Sequence, residues 1–249
     1  MDKIKINKKE AEKYLKENNL LKYLQKSARG QIKPDFCDLA RLHRFAVNRK
    51  SFTILEFGVG YSTIVLADAL RLNKERWGKL KDKKDLRVKY PFKLFSVDSS
   101  KKWINIAYKL MPSELKNYID ISYSEVNTGL FNNRMCHFYQ NIPDIVPDFI
   151  YLDGPDPATV KGDINGMTWQ NQERTVMSGD ILIMEPTLLP GTFVIIDGRV
   201  NNTRFLENNL QRKWDIKYNE NADITLMELT EKPLGKINRE IIKYCFKNK

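Results

Sequence analysis

Apolar residues recur at helical spacing through the first fifty residues of the chain. Over residues 8–26 this spacing predicts one amphipathic helix with the apolar positions Ala11, Tyr14, Leu15, Leu20, Leu21 and Leu24. Pro34 and Asp35 are typical helix-start residues, and the apolar stripe after them predicts a second helix to about Val47. We expect these helices to form an N-terminal cap, residues 1–50, in front of the main sheet.

From Ser51 onward, short apolar runs alternate with segments of helical spacing. Five runs predict β-strands, at residues 53–57, 92–97, 118–123, 149–152 and 192–196. Three helices are predicted to follow strands, at residues 62–72, 101–110 and 202–210. Continuous apolar strands separated by helices favour a parallel sheet that is covered on both faces.

The end of the chain breaks this alternation. Residues 213–218 and 224–229 flank a polar turn and predict an antiparallel hairpin. The apolar run 181–184 is compatible with either a helix or a strand. Residues 73–91 are too polar for a core, and we expect them to form a surface insertion.

Composition is ordinary for a globular protein with one sizeable α/β domain, since 42% of the 249 residues are hydrophobic and 29% are charged. No apolar run approaches the roughly 20 residues that span a bilayer, and the charged N-terminus does not resemble a secretory signal. Cys37, Cys136 and Cys245 fit neither a disulfide framework nor a zinc pattern, so we expect a cytoplasmic protein.

The formal net charge is +11, which can indicate nucleic acid or an acidic ligand as a partner. Many of the basic residues lie in the segment 74–93 and in a basic C-terminal tail, residues 231–249. No basic stripe is interleaved with aromatic residues. A small molecule is therefore favoured over nucleic acid as the partner, and the oligomeric state cannot be predicted.

The stretch after the first predicted strand is the most informative part of the chain. Gly58 and Gly60 allow a tight turn and a close approach of the backbone to a ligand, and Ser62 and Thr63 are residues that open helices. A dinucleotide site would need a third glycine where Thr63 stands. Glu56, two residues before the first glycine, instead suits a ligand with a cationic amino group. A turn that serves packing alone is the alternative.

This pattern resembles motif I of S-adenosylmethionine-dependent methyltransferases. The resemblance implies that the cofactor is bound by Glu56, Gly58, Gly60, Tyr61, Ser62 and Thr63. Asp98 ends the second strand, where a carboxylate can accept both ribose hydroxyls of a nucleoside, and Ser99 follows it. Both are predicted to contact the cofactor.

The order of the elements is similar to that of class I methyltransferases. It implies an α/β fold with a Rossmann-like sheet of five parallel βα units, a C-terminal antiparallel hairpin and additional N-terminal helices. The S-adenosylmethionine-binding methyltransferase domain is expected to span residues 51–230.

Two further aspartates follow the fourth and fifth strands. The segments around Asp153 and Asp197 resemble those of catechol-type and sugar O-methyltransferases, in which these acids bind a divalent metal with the hydroxyls of the substrate. A hard cation such as Mg²⁺ would lower the pKa of a substrate hydroxyl. The resemblance also implies that Asp153 contacts the cofactor and takes part in catalysis. Gly198 stands where the catechol-type pattern has asparagine, and whether Asp156 replaces that ligand stays open.

Three other residues are candidates for the chemistry. His137 is one of two histidines and is a candidate base near neutral pH, although a structural role is the alternative. Asp156 and Arg199 are candidate substrate contacts, and Arg199 is equally compatible with solvating the helix that follows it. His43 lies in the second helix and is expected to serve packing or to lie at the surface.

The predicted activity is methylation of a small hydroxylated acceptor. Methyltransferases that act on exocyclic amines typically carry two prolines and an aromatic residue after the fourth strand, and Gly154-Pro155-Asp156 lacks the second proline and the aromatic residue. An RNA methyltransferase and a non-enzymatic cofactor-binding protein are the two alternatives.

Overall fold

The computed structural model describes residues 5–25, 33–83 and 86–246. The strands are β1 (Thr53–Phe57), β2 (Lys93–Asp98), β3 (Ile119–Tyr123), β4 (Val126–Phe131), β5 (Arg134–Tyr139), β6 (Phe149–Leu152), β7 (Val160–Lys161), β8 (Phe193–Asp197), β9 (Trp214–Asn219) and β10 (Ile224–Leu229). The helices are α1 (Lys8–Glu17), α2 (Leu21–Leu24), α3 (Phe36–Asn48), α4 (Tyr61–Gly78), α5 (Lys101–Leu110), α6 (Asp180–Met184), α7 (Val200–Glu207) and α8 (Gly235–Phe246).

Seven strands form the central sheet in the order β3-β2-β1-β6-β8-β10-β9. The first five are parallel, and Leu55 of β1 is paired with Phe95 of β2 on one side and with Ile150 of β6 on the other. β10 runs antiparallel to both β8 and β9, so the sheet ends in a hairpin. The strand order confirms the predicted Rossmann-like fold of class I methyltransferases. Its topological switch point, where such sheets bind ligands, lies between β1 and β6.

Each face of the sheet is covered by its own hydrophobic core. β1 and β6 are buried along their whole length, and successive side chains point to opposite faces. On one face, Ile54 and Phe149 belong to a core shared with helices α1 to α5. On the other face, Leu55 and Ile150 belong to a core shared with α6, α7 and a smaller sheet. The N-terminal helices thus pack in the same core as α4.

The segment predicted as one helix over residues 8–26 forms two. Asn19, with a φ of 58°, follows the end of α1, and the backbone N–H of Leu20 donates to the carbonyl of Leu15. Asparagine tolerates this left-handed conformation, which ends a helix and redirects the chain. Leu15 and Leu24 are both fully buried as a result. Residue 26 lies outside the described residues.

Helix α4 is longer than predicted because Asn73, placed in the surface insertion by its polarity, is buried. Its side-chain amide donates to the main-chain carbonyls of Ala46 and Ser51, each at 3.0 Å. Both bonds tie α4 to the segment that joins α3 to β1, and the helix continues to Gly78. The part of the polar segment that is not helical therefore begins after Gly78.

The smaller sheet was not predicted. β4 and β5 form an antiparallel hairpin, and β7 adds a parallel edge to β4. The burial of β4 and β5 does not alternate cleanly, so their hydrophobic pattern is weak. The signal that predicts this hairpin is Asn132-Asn133, because both residues have a positive φ, as a two-residue hairpin turn requires.

Two segments for which the sequence predicted no definite element are helical. The ambiguous run 181–184 is helical and belongs to α6. The predicted basic tail contains α8, in which Asn238 is buried. Within the described ranges, no helix is long and apolar enough to cross a membrane.

Candidate functional site

A crevice of about 580 Å³ lies where β1, β2, β6 and β8 end. We call it the carboxyl-edge crevice. Most of the predicted site residues line it, namely Gly58, Gly60, Tyr61, Ser62, Asp98, Ser99, Asp153, Asp156, Asp197 and Arg199. Side chains from α3 and α5 complete its walls. The parallel strands thus bring together residues that are up to about 140 positions apart, as expected for an open α/β sheet.

The glycine turn forms the floor of the crevice. Gly58 has a φ of 101°, and a Cβ atom there would lie 3.1 Å from the backbone nitrogen of Gly154. A Cβ atom on Gly154 would lie 2.7 Å from the hydroxyl of Tyr139. The turns after β1 and β6 therefore touch through backbone atoms, which only glycine permits. At Gly60, by contrast, a Cβ atom would have no neighbour within 4 Å, because this residue faces the open crevice.

Glu56 lies behind the turn instead of in the crevice. It is fully buried, and its carboxylate accepts hydrogen bonds from the hydroxyls of Ser62 (2.6 Å), Thr63 (2.8 Å) and Ser96 (2.5 Å). Burial raises the pKa of Glu56 to about 7, although the three hydroxyls oppose the shift. The prediction that Glu56 meets the amino group of a ligand is corrected, because no atom of Glu56 is accessible. The carboxylate instead fixes the first turn of α4.

Thr63 is also fully buried and does not line the crevice. Its hydroxyl donates to Glu56 and accepts from the backbone N–H of Gly60 at 3.0 Å. Thr63 therefore connects the buried acid to the glycine turn. The prediction that Thr63 contacts the cofactor directly is therefore corrected, because this residue supports the turn from behind.

Asp98 holds the neighbouring loop and faces the crevice. One carboxylate oxygen accepts from the backbone N–H of Val59 at 2.9 Å, and the other accepts from that of Ser100 at 2.6 Å. Burial raises the pKa of Asp98 to about 6, with smaller contributions from the charges of Asp153 and Asp156, and the two N–H donors oppose the shift. Each oxygen has a second lone pair available for a ligand hydroxyl.

Helix α5 adds an apolar wall next to Asp98. Trp103 and Ile106 line the crevice from the first two turns of α5, and Ser100 caps that helix by accepting from the backbone N–H of Trp103. Neither Trp103 nor Ile106 was predicted as a site residue. The signal available in the sequence is their place in the helix that starts directly after Asp98.

Asp153 and Asp197 line the same crevice, as predicted. Loss of hydration between the crevice walls raises the pKa of Asp153, whose residue is still exposed to the open crevice, and the Arg199 guanidinium opposes that shift. The pKa of Asp197 is raised to about 6, first by burial and then by the charges of Asp153 and Asp38. The Tyr151 hydroxyl donates to Asp197 at 3.0 Å. Asp38, contributed by α3, also lines the crevice, and sequence reasoning missed it because it lies in a segment interpreted only as a cap.

The predicted divalent-metal site is not supported. In the described part of the chain, no group of three or more histidine, cysteine, aspartate and glutamate residues could hold a metal ion. Asp38 is paired with Arg41 at 2.5 Å, and Asp197 with Tyr151. Asp156, the open replacement for the missing asparagine, accepts from the backbone N–H of Ala158.

His137 is not a crevice residue, and its predicted role as a catalytic base is wrong. It is fully buried in β5 of the smaller sheet, where its backbone pairs with Met177 and Gly179. Burial and the charge of Arg199 lower the pKa of His137 to about 3. His43 is buried between the Tyr14 hydroxyl (2.8 Å) and the Asp68 carboxylate (3.1 Å), in keeping with packing.

The two predicted substrate contacts, Arg199 and Asp156, both line the crevice and also support its wall. Arg199 donates to the main-chain carbonyls of Asp153 and Pro155, the second at 3.1 Å. Asp156 caps the short turn after it through Ala158. Arg199 thus holds the loop that carries Asp153.

No protein-family model and no curated protein matches the chain. It is similar to the S-adenosylhomocysteine-bound methyltransferase PaMTH1 of Podospora anserina, with a TM-score of 0.45 and 11% identity over 91% of this chain and 89% of that one.

Two O-methyltransferases are also similar. The enzyme from Bacillus cereus, in complex with S-adenosylhomocysteine, gives a TM-score of 0.39, with 14% identity over 92% of this chain and 94% of that one. TomG from Streptomyces achromogenes is involved in tomaymycin synthesis and is in complex with S-adenosylmethionine. It gives a TM-score of 0.40, with 15% identity over 92% of this chain and 93% of that one. These values carry no inference about activity, so the fold assignment rests on strand order and register.

Proposed function

We propose that this protein binds S-adenosylmethionine in the carboxyl-edge crevice and transfers its methyl group to a hydroxyl of a small acceptor. The observation that carries the proposal is the joint geometry of the Gly58–Gly60 turn and Asp98. The turn brings backbone atoms to the crevice surface, and Asp98 beside it offers free lone pairs for a ribose diol. Trp103 and Ile106 supply an apolar wall suited to an adenine ring.

The charge of the crevice supports a cationic ligand. Its lining contains six aspartates, namely Asp35, Asp38, Asp98, Asp153, Asp156 and Asp197. Only Lys33 and Arg199 oppose them among the described lining residues, and Arg199 is hydrogen-bonded to main-chain carbonyls. S-adenosylmethionine carries a sulfonium and an ammonium group, so this field attracts it. A diphosphate or an RNA backbone would be repelled, which disfavours a dinucleotide and an RNA substrate despite the net charge of +11.

The chemistry asked of the protein is positioning and the removal of one proton. When bound, the cofactor supplies an electrophilic methyl group for in-line displacement by the acceptor oxygen. Asp98 and the glycine turn orient the nucleoside. Asp153, exposed in the crevice and held by Arg199, is the carboxylate we assign to accept the hydroxyl proton. Its raised pKa makes it a stronger base than an ordinary aspartate.

Isothermal titration calorimetry with S-adenosylhomocysteine, with and without magnesium, tests the binding step. We expect saturable one-to-one binding that is the same in both conditions. Asp98→Asn should weaken it by about 10- to 100-fold, since a hydrogen bond to a charged group contributes about 1.5–3 kcal/mol. Asp120→Asn, an exposed aspartate on β3, is the matched control and should bind as the wild type does. Absence of binding under both conditions would overturn the proposal.

Turnover is tested separately, with S-adenosylmethionine and a panel of small hydroxylated acceptors followed by mass spectrometry. A product heavier by one methyl group on oxygen supports methyl transfer. Cofactor binding without any product across the panel would instead favour a non-enzymatic binding protein. Product on RNA, with binding that weakens steeply with salt, would favour the RNA methyltransferase.

A further inference from the structure

A second cavity, of about 300 Å³, lies at the opposite edge of the sheet, where β1, β6 and β8 begin. We call it the amino-edge cavity. It is formed by the strand starts, residues 87–90 and α8. Its main apolar side chains are Phe52, Val88, Ile145, Leu189, Ile242 and Phe246. Two of these three segments belong to parts of the chain, the polar insertion and the basic tail, to which the sequence assigned no function.

The roof of this cavity is α8, which is fastened along its length. The Asn238 side-chain amide donates to the carbonyl of Pro190 at 3.1 Å near the start of the helix. Near its end, the Lys50 ammonium donates to the carbonyl of Tyr244 at 2.8 Å, and the Arg49 guanidinium lies 4.7 Å from the centroid of the Phe246 ring. Contacts near both ends of α8 therefore hold the helix over the cavity.

Polar groups inside the cavity already have partners. The Asp148 carboxylate accepts from the backbone N–H groups of Phe52 (2.7 Å) and Thr53 (3.3 Å). The Thr192 hydroxyl donates to the carbonyl of Leu189 at 2.8 Å. Burial raises the pKa of the Cys245 thiol to about 12, so it is neutral and unreactive at physiological pH. A polar group placed here would lack a partner, so the interior suits an apolar body.

The mouth of the cavity differs from its interior. Tyr90 and Val146 are 39% and 47% exposed, which leaves an apolar rim beside the opening. Arg87 and Lys89 are exposed cations on the same segment, and Asp144 is the one acid among the described mouth residues. The Lys89 ammonium lies 5.0 Å from the ring centroid of Tyr90, at the rim. Together with the net charge of +11, this arrangement favours an anionic group at the mouth.

We propose that the amino-edge cavity binds a small amphipathic carboxylic acid. Its apolar body lies among Phe52, Ile145 and Ile242, and its carboxylate lies at the mouth between Arg87 and Lys89. A cavity of 300 Å³ is at the small end of ligand sites, which excludes a nucleoside cofactor. At roughly 30 Å³ for each carbon group, about the volume of one water, it accommodates a chain of about ten carbons.

Calorimetric titration with decanoate and with 1-decanol tests this proposal, because the two probes share an apolar body and differ in charge. We expect decanoate to bind the wild-type protein saturably, with one-to-one stoichiometry, and more tightly than decanol. Arg87→Glu should weaken decanoate about three- to tenfold, as expected when an exposed attraction becomes a repulsion, and should leave decanol unchanged. Arg204→Glu, an exposed arginine on α7 away from both cavities, is the matched control and should alter neither.

A blocking variant locates the site. Ile242→Trp fills the cavity and should abolish decanoate binding, while S-adenosylhomocysteine binding shows whether the sheet remains folded. Absence of saturable decanoate binding to the wild type would overturn the proposal. Equal affinity for decanol, or competition between decanoate and S-adenosylhomocysteine, would overturn it as well. The Arg87→Glu result does not depend on whether the blocking variant folds.

Discussion

The two edges of the central sheet carry opposite kinds of site. At the carboxyl edge, aspartates at strand ends point into an open crevice, and glycines let the backbone approach a ligand. At the amino edge, the carboxylate of Asp148 accepts hydrogen bonds from two backbone N–H groups, and apolar side chains surround a smaller space. The same parallel strands thus present carboxylates where they end and hydrophobic groups where they begin.

The difference shows that the local charge of a site, and not the net charge of the protein, indicates which ligand the site can bind. The protein has a net charge of +11, yet its carboxyl-edge crevice is acidic. The basic surplus lies in peripheral segments, including the residues that border the amino-edge cavity. Overall charge therefore describes the outside of the protein, whereas the ligand class follows from the local field of the crevice.

The largest expected effect is that of a substitution in the glycine turn, which should disrupt the carboxyl-edge crevice and not the amino-edge cavity. Gly58→Val places a β-branched side chain at a φ of 101° and against the backbone of Gly154. We expect cofactor binding to be lost and unfolding to be easier by about 1–2 kcal/mol or more. Gly60→Ala is the matched control, because its added Cβ meets open space. It should retain wild-type stability in urea denaturation while weakening cofactor affinity. Normal cofactor affinity in Gly58→Val would contradict the assigned floor.

The pH dependence of cofactor affinity tests the role of Asp98. Its pKa in the free protein is raised to about 6, and only the carboxylate accepts both ribose hydroxyls. Cofactor affinity should therefore be full above pH 7 and about tenfold weaker at pH 5. Asp98→Asn should abolish this dependence, measured by calorimetry with S-adenosylhomocysteine. Asp197→Asn, which removes a second acid with a pKa of about 6, should preserve it. A flat wild-type profile would remove Asp98 from the cofactor site.

The pH dependence of the free energy of unfolding tests the role of Glu56, which is buried behind the crevice. Its pKa is about 7 in the folded protein and 4.5 in the unfolded chain, so the unfolded state holds fewer protons between these values. The buried charge consequently costs stability as the pH rises through this window. Glu56→Gln should remove that loss, which we place on the order of 1–3 kcal/mol between pH 5 and pH 8.

Urea denaturation at both pH values measures the change. Glu207→Gln on the exposed side of α7 is the matched control and should keep the wild-type pH dependence. If Glu56→Gln were no more stable relative to the wild type at pH 8 than at pH 5, Glu56 would not carry a destabilising buried charge.

The smallest expected effect is that of His137. Because it lies outside the crevice and has a pKa of about 3, His137→Asn should change kcat/KM for methyl transfer less than about threefold and leave its pH dependence unaltered. A general base contributes about 10²- to 10⁴-fold. A loss of that size in steady-state assays, with the fold retained in circular dichroism, would return His137 to the catalytic site.

Much of the fold was predictable because parallel strands are continuous apolar runs. β1, β6 and the terminal hairpin appear in the sequence within one or two residues of their observed bounds. The β4–β5 hairpin was missed because its pattern of buried and exposed positions is irregular. Asn73 was misjudged because its polarity is satisfied by two carbonyls that are distant in sequence.

The candidate site was predictable at the strand ends and less so behind them. Gly58, Asp98, Asp153 and Asp197 follow directly from their positions after strands. The burial of Glu56 depends on three hydroxyls, and one of them, Ser96, lies on another strand. The contribution of Asp38 to the crevice depends on how α3 packs. Such tertiary contacts have no local signal in the chain.

A crystal structure with S-adenosylhomocysteine tests the central claim most directly. We predict that the ribose hydroxyls lie within hydrogen-bond distance of the Asp98 carboxylate, with the adenine ring against Trp103 and the sulfur facing Asp153. The ligand bound in the amino-edge cavity, or bound in the crevice without contact to Asp98, would contradict the account.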